Sequence, residues 1–342
     1  MTCLELNEKN ILAAAAEIRA GKLVAFPTET VYGLGCDAFN TSALARVFEV
    51  KRRPRFDPLI IHIAALATLE RLVDFSRLTE DGKHRLSVLC RAFWPGPLTL
   101  VLPKQAAVPD LATGGLETAA IRFPSHDGAL RLIRESTGAL AAPSANPFGY
   151  LSPTRARHVL EQLDGAVDLV LDGGPSDIGV ESTVLDISGA APRILRPGGV
   201  PRETIEAFTG PVAAGGDGEI SSPGQLRSHY APSKALYLHT AVEIRRLPFS
   251  ADAAYLFFDR PSFEAFAENN KLSAGFREPG CGYFFVLSDT GNLVEAAARL
   301  FDLLHKIDAL PAEPIHAERA PATGLGVAIN DRLSRAGTDE RP

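Results

Sequence analysis

The sequence predicts an α/β protein in two parts: a twisted mixed sheet with helices, then a smaller α/β domain. Three observations carry that expectation. Short apolar runs alternate with segments of helical period through about residue 208, and several connections are too short for helical crossovers, so parallel and antiparallel pairs must mix. A stretch rich in Gly, Pro, Ser and Ala, Gly210–Ser233, then interrupts the pattern before it resumes. The expected boundaries are 1–209, a linker at 210–233, and 234–342.

Taken in order, Ile11, Leu12, Ala13–Ala16 and Ile18 form a helix face, followed by a strand, Lys22–Phe26. That strand runs into FPTETVYGLGCD, where Gly33 and Gly35 suggest positive φ or close backbone approach, and Thr28, Thr30 and Tyr32 alternate as if to share one face. It reads as a strand ending in a working loop, with a tight strand-to-helix turn as the plain alternative. A helix over Ser42–Val50 delivers Lys51, Arg52, Arg53 and Arg55 around Pro54, and Pro58 opens a strand, Leu59–Ile63. Helices at Leu66–Val73 and Thr79–Phe93 precede the Pro95–Pro97 turn and a strand ending at Pro103. The strand Thr118–Phe123 and the helix Gly128–Ser136 repeat the plan, as do Leu140–Ala142, a helix Arg155–Leu163, and strands at Leu169–Asp172, Glu181–Ser188 and Arg193–Leu195. In the second part, strands at Ala235–Leu238, Ala254–Phe258 and Tyr283–Leu287 alternate with helices, notably Asn292–Ile307. The tail GLGVAINDRLSRA reads as a glycine turn and a helix with Asp331, Arg332 and Arg335 exposed.

With 342 residues, 46% hydrophobic and 22% charged, the chain can bury two cores, and its net charge of −6 argues against bulk attraction to a polyanion. Cys3, Cys36, Cys90 and Cys281 are too scattered for a zinc or CxxC motif and read as cytosolic thiols. The charged start MTCLELNEKN lacks the apolar core of a signal peptide, and no run approaches the ~20 apolar residues of a membrane span, so a cytoplasmic protein is expected.

There is no Walker A loop, HExxH, GxSxG or dinucleotide fingerprint. Instead, the strand ends collect Thr30, Arg53, His62, Arg122, Ser144, Ser152, Ser182 and Arg196: hydroxyls and cations with few carboxylates. The plain alternatives are a solvated charge run at Lys51–Arg55 and a core histidine at His62. Such a lining suits a ligand with several negative charges, and a reaction driven by positioning and charge neutralisation, as in attack on a phosphoryl group.

PTETVYGLG, KxRPxxxPLIIH, WPGPLTL, IRFP, PSANPFG, ESTV, LRPG and HYAP, in this order over residues 26–233, resemble the YrdC/Sua family of L-threonylcarbamoyladenylate synthases. The trailing part resembles the extra C-terminal, Rossmann-like domain of the longer Sua-type members. The resemblance implies a YrdC-like catalytic domain that converts L-threonine, bicarbonate or CO₂, and ATP into threonylcarbamoyl-AMP and pyrophosphate. The product would serve tRNA threonylcarbamoyladenosine synthesis through a separate threonylcarbamoyl transferase. Carried over by motif, Thr30, His62, Arg122, the Ala142 backbone and Ser182 would hold threonine. Arg53, Asp57, Thr118, Ser144, Ser152, Arg196 and Tyr230 would line the ATP site, and Lys51, Arg53 and Arg122 would act in catalysis. Mg²⁺ would arrive with ATP, ligated by phosphates and water, since no carboxylate cage is visible in the sequence. Asp57 stands where the family often has Asn, and Arg52 where a small residue is common. Arg227, His229 and Tyr230 decorate the linker enough to suggest a lid over the first domain. The competing readings are a non-catalytic tRNA or double-stranded RNA binder, and a domain making carbamoyl-adenylate for another acceptor. A weak tRNA contact is compatible with the first reading, and no membrane partner is expected.

Overall fold

The structure, a computed structural model, describes residues 2–215, 230–272 and 283–337. Most of the expected lid, with Arg227 and His229, lies outside the described residues, as does Cys281. The described chain forms two compact units: 2–148, 152–177 and 181–215 in the first, and 149–151, 178–180, 230–272 and 283–337 in the second.

The first unit is built on a mixed sheet of eleven strands: β1 (Thr2–Glu5), β2 (Val24–Phe26), β3 (Gly33–Asp37), β4 (Ile60–Ile63), β5 (Leu98–Pro103), β6 (Thr118–Arg122), β7 (Ala139–Ala141), β8 (Leu169–Asp172), β9 (Thr183–Asp186), β10 (Arg193–Arg196) and β11 (Ala213–Ala214). The strand order is β1-β8-β2-β3-β7-β4-β6-β5-β9-β10-β11. Pairing is parallel in β4–β6 and β5–β9 and antiparallel in β2–β3, β4–β7 and β5–β6. The mixed α/β architecture is the expected one.

Register sorts the two faces of this sheet. Ala141, Ile61, Ile121, Leu100 and Leu185 align across β7, β4, β6, β5 and β9 and enter the main hydrophobic core. The opposite face carries an apolar row, Ile60, Ala120 and Val101, within a small cluster completed by Val184 and Leu195. The next row on that face is His62, Arg122 and Thr99. The side-chain period of 2 in IIHI, TAAIR and TLVLP is what separates core from polar row.

At Phe26–Asp37 a loop does follow the strand, but the turn into a helix and the positive φ values do not hold. The stretch is a loop closed by a strand, with Phe26 paired antiparallel to Gly33, and not a strand-to-helix turn. Gly33 and Gly35 do not adopt positive φ. Their role is close packing: a Cβ on Gly35 would stand 2.7 Å from the Phe26 ring, and one on Gly33 3.3 Å from the Ala142 Cβ. Tyr32 also leaves the other hydroxyls, sending its own to the Gly174 carbonyl at 2.6 Å. Strand β1 was not anticipated, because its four residues are mostly exposed and gain their place by backbone pairing with β8 at the sheet edge. The helix Thr41–Lys51 is capped by the Asn40 side chain, which accepts from the Ser42 and Ala43 N–H groups, and it ends at Arg52 with φ 52°, the left-handed turn that separates Lys51 from Arg53.

The second unit is a parallel four-stranded sheet of β12 (Leu236–His239), β13 (Ala254–Asp259), β14 (Phe284–Ser288) and β15 (Ile315–Glu318), in the order β12-β15-β13-β14. Helices Ala241–Arg246, Arg260–Asn269, Leu293–Asp308 and Leu325–Ala336 accompany it. Tyr255, Phe257, Phe263, Phe266 and Phe284 form its aromatic core. Strand β15 was missed, being four residues with polar side chains at alternate positions, yet it lies between β12 and β13. The expectation that Arg332 is exposed is wrong: it is fully buried, ion-paired to Asp331, with its guanidinium 4.8 Å from the Tyr230 ring centroid. A buried aromatic face offsets the desolvation that kept Arg332 from being read as a core residue. Among the described residues, no helix is long and apolar enough to cross a membrane.

Gly35→Ala should destabilise the first unit by about 1–3 kcal/mol, because the buried Phe26 ring has no room to yield. Denaturant unfolding of the variant reads the loss; an unchanged midpoint would refute the packing role.

Candidate functional site

Arg122, at the end of β6, is 3% exposed, and its guanidinium is held at all three nitrogens. Nη2 lies 2.7 Å from Glu29 Oε1, Nη1 donates to Thr30 Oγ1 at 2.9 Å, and Nε donates to the Gly96 carbonyl at 3.4 Å. Three segments distant in sequence thus meet on one side chain. The loop carrying Glu29 and Thr30 is anchored by Tyr32 N–H to the Pro153 carbonyl and Leu34 N–H to the Pro143 carbonyl, at 2.8 and 2.7 Å. Burial alone would raise the Glu29 pKa, but the Arg122 charge and hydrogen bond, with weaker help from backbone N–H groups, outweigh it and hold the carboxyl below its ordinary value.

His62 is the β4 neighbour of Arg122, and burial followed by the Arg122 charge pushes its pKa down to about 3. The imidazole is therefore neutral near pH 7, with Nδ1 3.3 Å from the Ile60 carbonyl. It adds a polar group to the row without adding a second positive charge. On the other side, Thr99 Oγ1 and Ser182 Oγ share a hydrogen bond of 2.8 Å, and Arg196 donates to the Ser182 carbonyl through Nη2 at 3.0 Å.

A second cluster surrounds Asp57. Arg53 pairs with it at 2.8 Å, both side chains being almost wholly buried, and also donates to the Asp57 and Pro58 carbonyls. Burial raises the Asp57 pKa, against the opposing pull of Arg53, Lys51 and Arg196. Lys51 is 1% exposed and donates to the carbonyls of Ser144, at 2.6 Å, and Asn146. Burial, reinforced by Arg53, holds its pKa well below the usual lysine value. Lys51 thus anchors the loop after β7, a placement that its position in a run of cations did not reveal.

The remaining expected residues fall as follows. Ala142 is buried, and its N–H donates to the Ile60 carbonyl at 2.9 Å. Ser144 bridges to Gly33, Ser152 donates to Glu181, and Thr118 opens β6 on the same face as Arg122. Twelve of the expected positions therefore lie in the first unit. Tyr230 belongs to the second, where it is buried beside Arg332 and Phe301. The sequence reading passed over Glu29, Thr99 and Glu181, although all three stand inside the motifs it singled out. The sequence signal is their position between hydroxyl residues and beside strand ends, but a carboxylate does not by itself mark a site for an anionic ligand.

Comparison with known proteins agrees along the whole chain. A family model of the Sua5, YciO and YrdC proteins, described as Telomere recombination, matches residues 16–198, and one described as Threonylcarbamoyl-AMP synthase, C-terminal domain, matches residues 200–338. The threonylcarbamoyl-AMP synthase of Pyrococcus abyssi is 41% identical, with 97% of this chain and 95% of that protein covered. That of Bacillus subtilis is also 41% identical, covering 97% of this chain and 94% of its own. The crystal structure of P. abyssi Sua5 complexed with L-threonine superposes with a TM-score of 0.82 at 38% identity, covering 98% of this chain and 96% of that one. With both parts matched in order and relatives this similar over nearly its full length, the chain belongs to the threonylcarbamoyl-AMP synthase family, in the long form that carries the C-terminal domain.

Proposed function

We infer that this chain is a threonylcarbamoyl-AMP synthase that carries out the reaction on the polar face of its first sheet. The observation that carries the reading is the row His62–Arg122–Thr99, extended by Thr30 and Ser182, in the same unit as the cations Lys51, Arg53 and Arg196. One part suits a small carboxylate and the other a polyphosphate.

In the proposed course, the threonine carboxylate takes donors of Arg122 while Thr30, His62, the Ala142 backbone and Ser182 complete its pocket. Bicarbonate takes up a proton and loses water to give CO₂, the ammonium gives up a proton to solvent, and the free amine bonds to the CO₂ carbon, releasing a second proton to leave the carbamate. An oxygen of the resulting carbamate attacks the α-phosphorus of ATP, and the bond to pyrophosphate breaks. No side-chain nucleophile is required, since the carbamate is the nucleophile. The protein's work is to hold two anions together and keep water from the labile carbamate and mixed anhydride. Arg53, Arg196, Ser144, Ser152, Thr118 and Asp57 would border the nucleotide, and Lys51 would fix the Ser144 loop. Among the described residues, no three His, Cys, Asp or Glu side chains converge to hold a metal ion. Mg²⁺ would accompany the ATP phosphates and ease their charge, with phosphates and water as its ligands. The activated product would pass to a threonylcarbamoyl transferase acting on tRNA; Arg52 and Arg55, both exposed, are the groups that a weak tRNA contact would use.

Pyrophosphate release from ATP should require both threonine and bicarbonate. Release indifferent to threonine would overturn the reading. Arg122→Ala should raise the threonine KM by about 30-fold or more, the loss of a buried charge-assisted partner being worth about 2–4 kcal/mol, with the ATP KM little changed. A normal threonine KM would reject the assigned role. Asp57→Asn, which removes the carboxylate competing with phosphate for Arg53, should lower the ATP KM several-fold. A raised ATP KM would instead make Asp57 one of the groups that support nucleotide.

A further inference from the structure

We propose that Glu29 is a specificity-determining residue that receives the ammonium group of the amino acid whose carboxylate Arg122 takes. This deepens the reading above and rests on its placement of the carboxylate at Arg122.

A buried ion pair seldom earns its place through stability, since a well-packed apolar pair does as well. Both Glu29 carboxylate oxygens are buried without a hydrogen bond of ordinary geometry: Oε1 faces the Arg122 charge at 2.7 Å, while Oε2 has no side-chain partner, and the Glu29 and Ser125 N–H groups give the carboxyl only weak support. A buried carboxylate oxygen in that state is rare in native proteins and costly to maintain. A donor supplied by a ligand would satisfy it.

The neighbouring hydroxyls point to the same kind of ligand. Thr28 Oγ1 donates its one proton to the Val31 carbonyl at 2.6 Å, so the 2.9 Å bond between Thr28 and Thr30 must be donated by Thr30. Thr30 Oγ1 also accepts from Arg122. Its proton is committed, and what remains is acceptor capacity alone. The site therefore presents a cation, Arg122, flanked by two acceptors, Glu29 Oε2 and Thr30 Oγ1. A simple carboxylic acid would satisfy only the cation. A molecule with a carboxylate and an ammonium on one carbon satisfies both, and it replaces charge with matching charge in a site whose own pair is neutral. Glu29 would thus make the pocket select α-amino acids over hydroxy acids, in addition to orienting Arg122.

The test is calorimetric titration of the full chain with L-threonine and with 3-hydroxybutyrate, which is threonine without its amine, for the wild type and Glu29→Gln. The wild type should prefer threonine by about 100-fold. In Glu29→Gln, threonine should weaken about tenfold or more while 3-hydroxybutyrate binds as well as before or better, so that the preference collapses. Equal weakening of both ligands would reduce Glu29 to a prop for Arg122 and overturn the proposal; so would no change in either. If Glu29→Gln does not unfold cooperatively, the wild-type comparison decides, and equal affinity for the two ligands overturns the proposal. Threonine affinity that survives Arg122→Ala would instead overturn the placement of the carboxylate, an outcome separate from any result at Glu29.

Discussion

The desolvation of Arg122 is the constraint on which the first unit's polar face depends. A guanidinium at the end of a central strand, almost wholly out of water, would be untenable without compensation, and its surroundings are arranged to provide it. Glu29 supplies the opposing charge, Thr30 and Gly96 supply acceptors, and His62 stays neutral so that no second cation stands beside it. These partners come from the loop before β3, the turn before β5 and strand β4. Arg122 thereby ties three segments into one wall, and the same bonds hold its guanidinium in a fixed orientation, which is what the proposed carboxylate role requires.

The second cluster follows the same logic with different parts. Arg53 is set by Asp57 and by the carbonyls of Asp57 and Pro58, Arg196 by the Ser182 carbonyl, and Lys51 by the loop after β7. Each cation is fixed by bonds within the unit. The sheet makes this possible by sending Ile61, Ile121 and Leu100 into the core and leaving the alternate positions to chemistry.

Much of this was legible in the sequence. Short apolar runs marked the strands and collected His62 and Arg122 among the strand-end residues, and the ordered motifs identified the family. What escaped has physical causes. Register is a property of two strands at once, so the alignment of His62, Arg122 and Thr99 could not be read from any one of them. Strand β1 is stabilised by backbone bonds that leave little trace in residue type, and β3 looked like a turn because its glycines serve close packing against Phe26 and Ala142. Glu29 was hidden by its pairing: a carboxylate beside hydroxyls argues against an anion site until its cation is located, and that cation is 93 residues away in the chain at position 122. Arg332 was misplaced for a similar reason, since its aromatic partner Tyr230 comes from far upstream.

The proposed chemistry has an amino acid's carboxylate meet the buried cation Arg122. The most direct measurement is a crystal structure of this chain with L-threonine and a non-hydrolysable ATP analogue bound. The threonine carboxylate should lie within hydrogen-bond distance of Arg122, with the nucleotide phosphates on the side of Arg53 and Arg196. Threonine bound elsewhere, with no contact to Arg122, would contradict this placement.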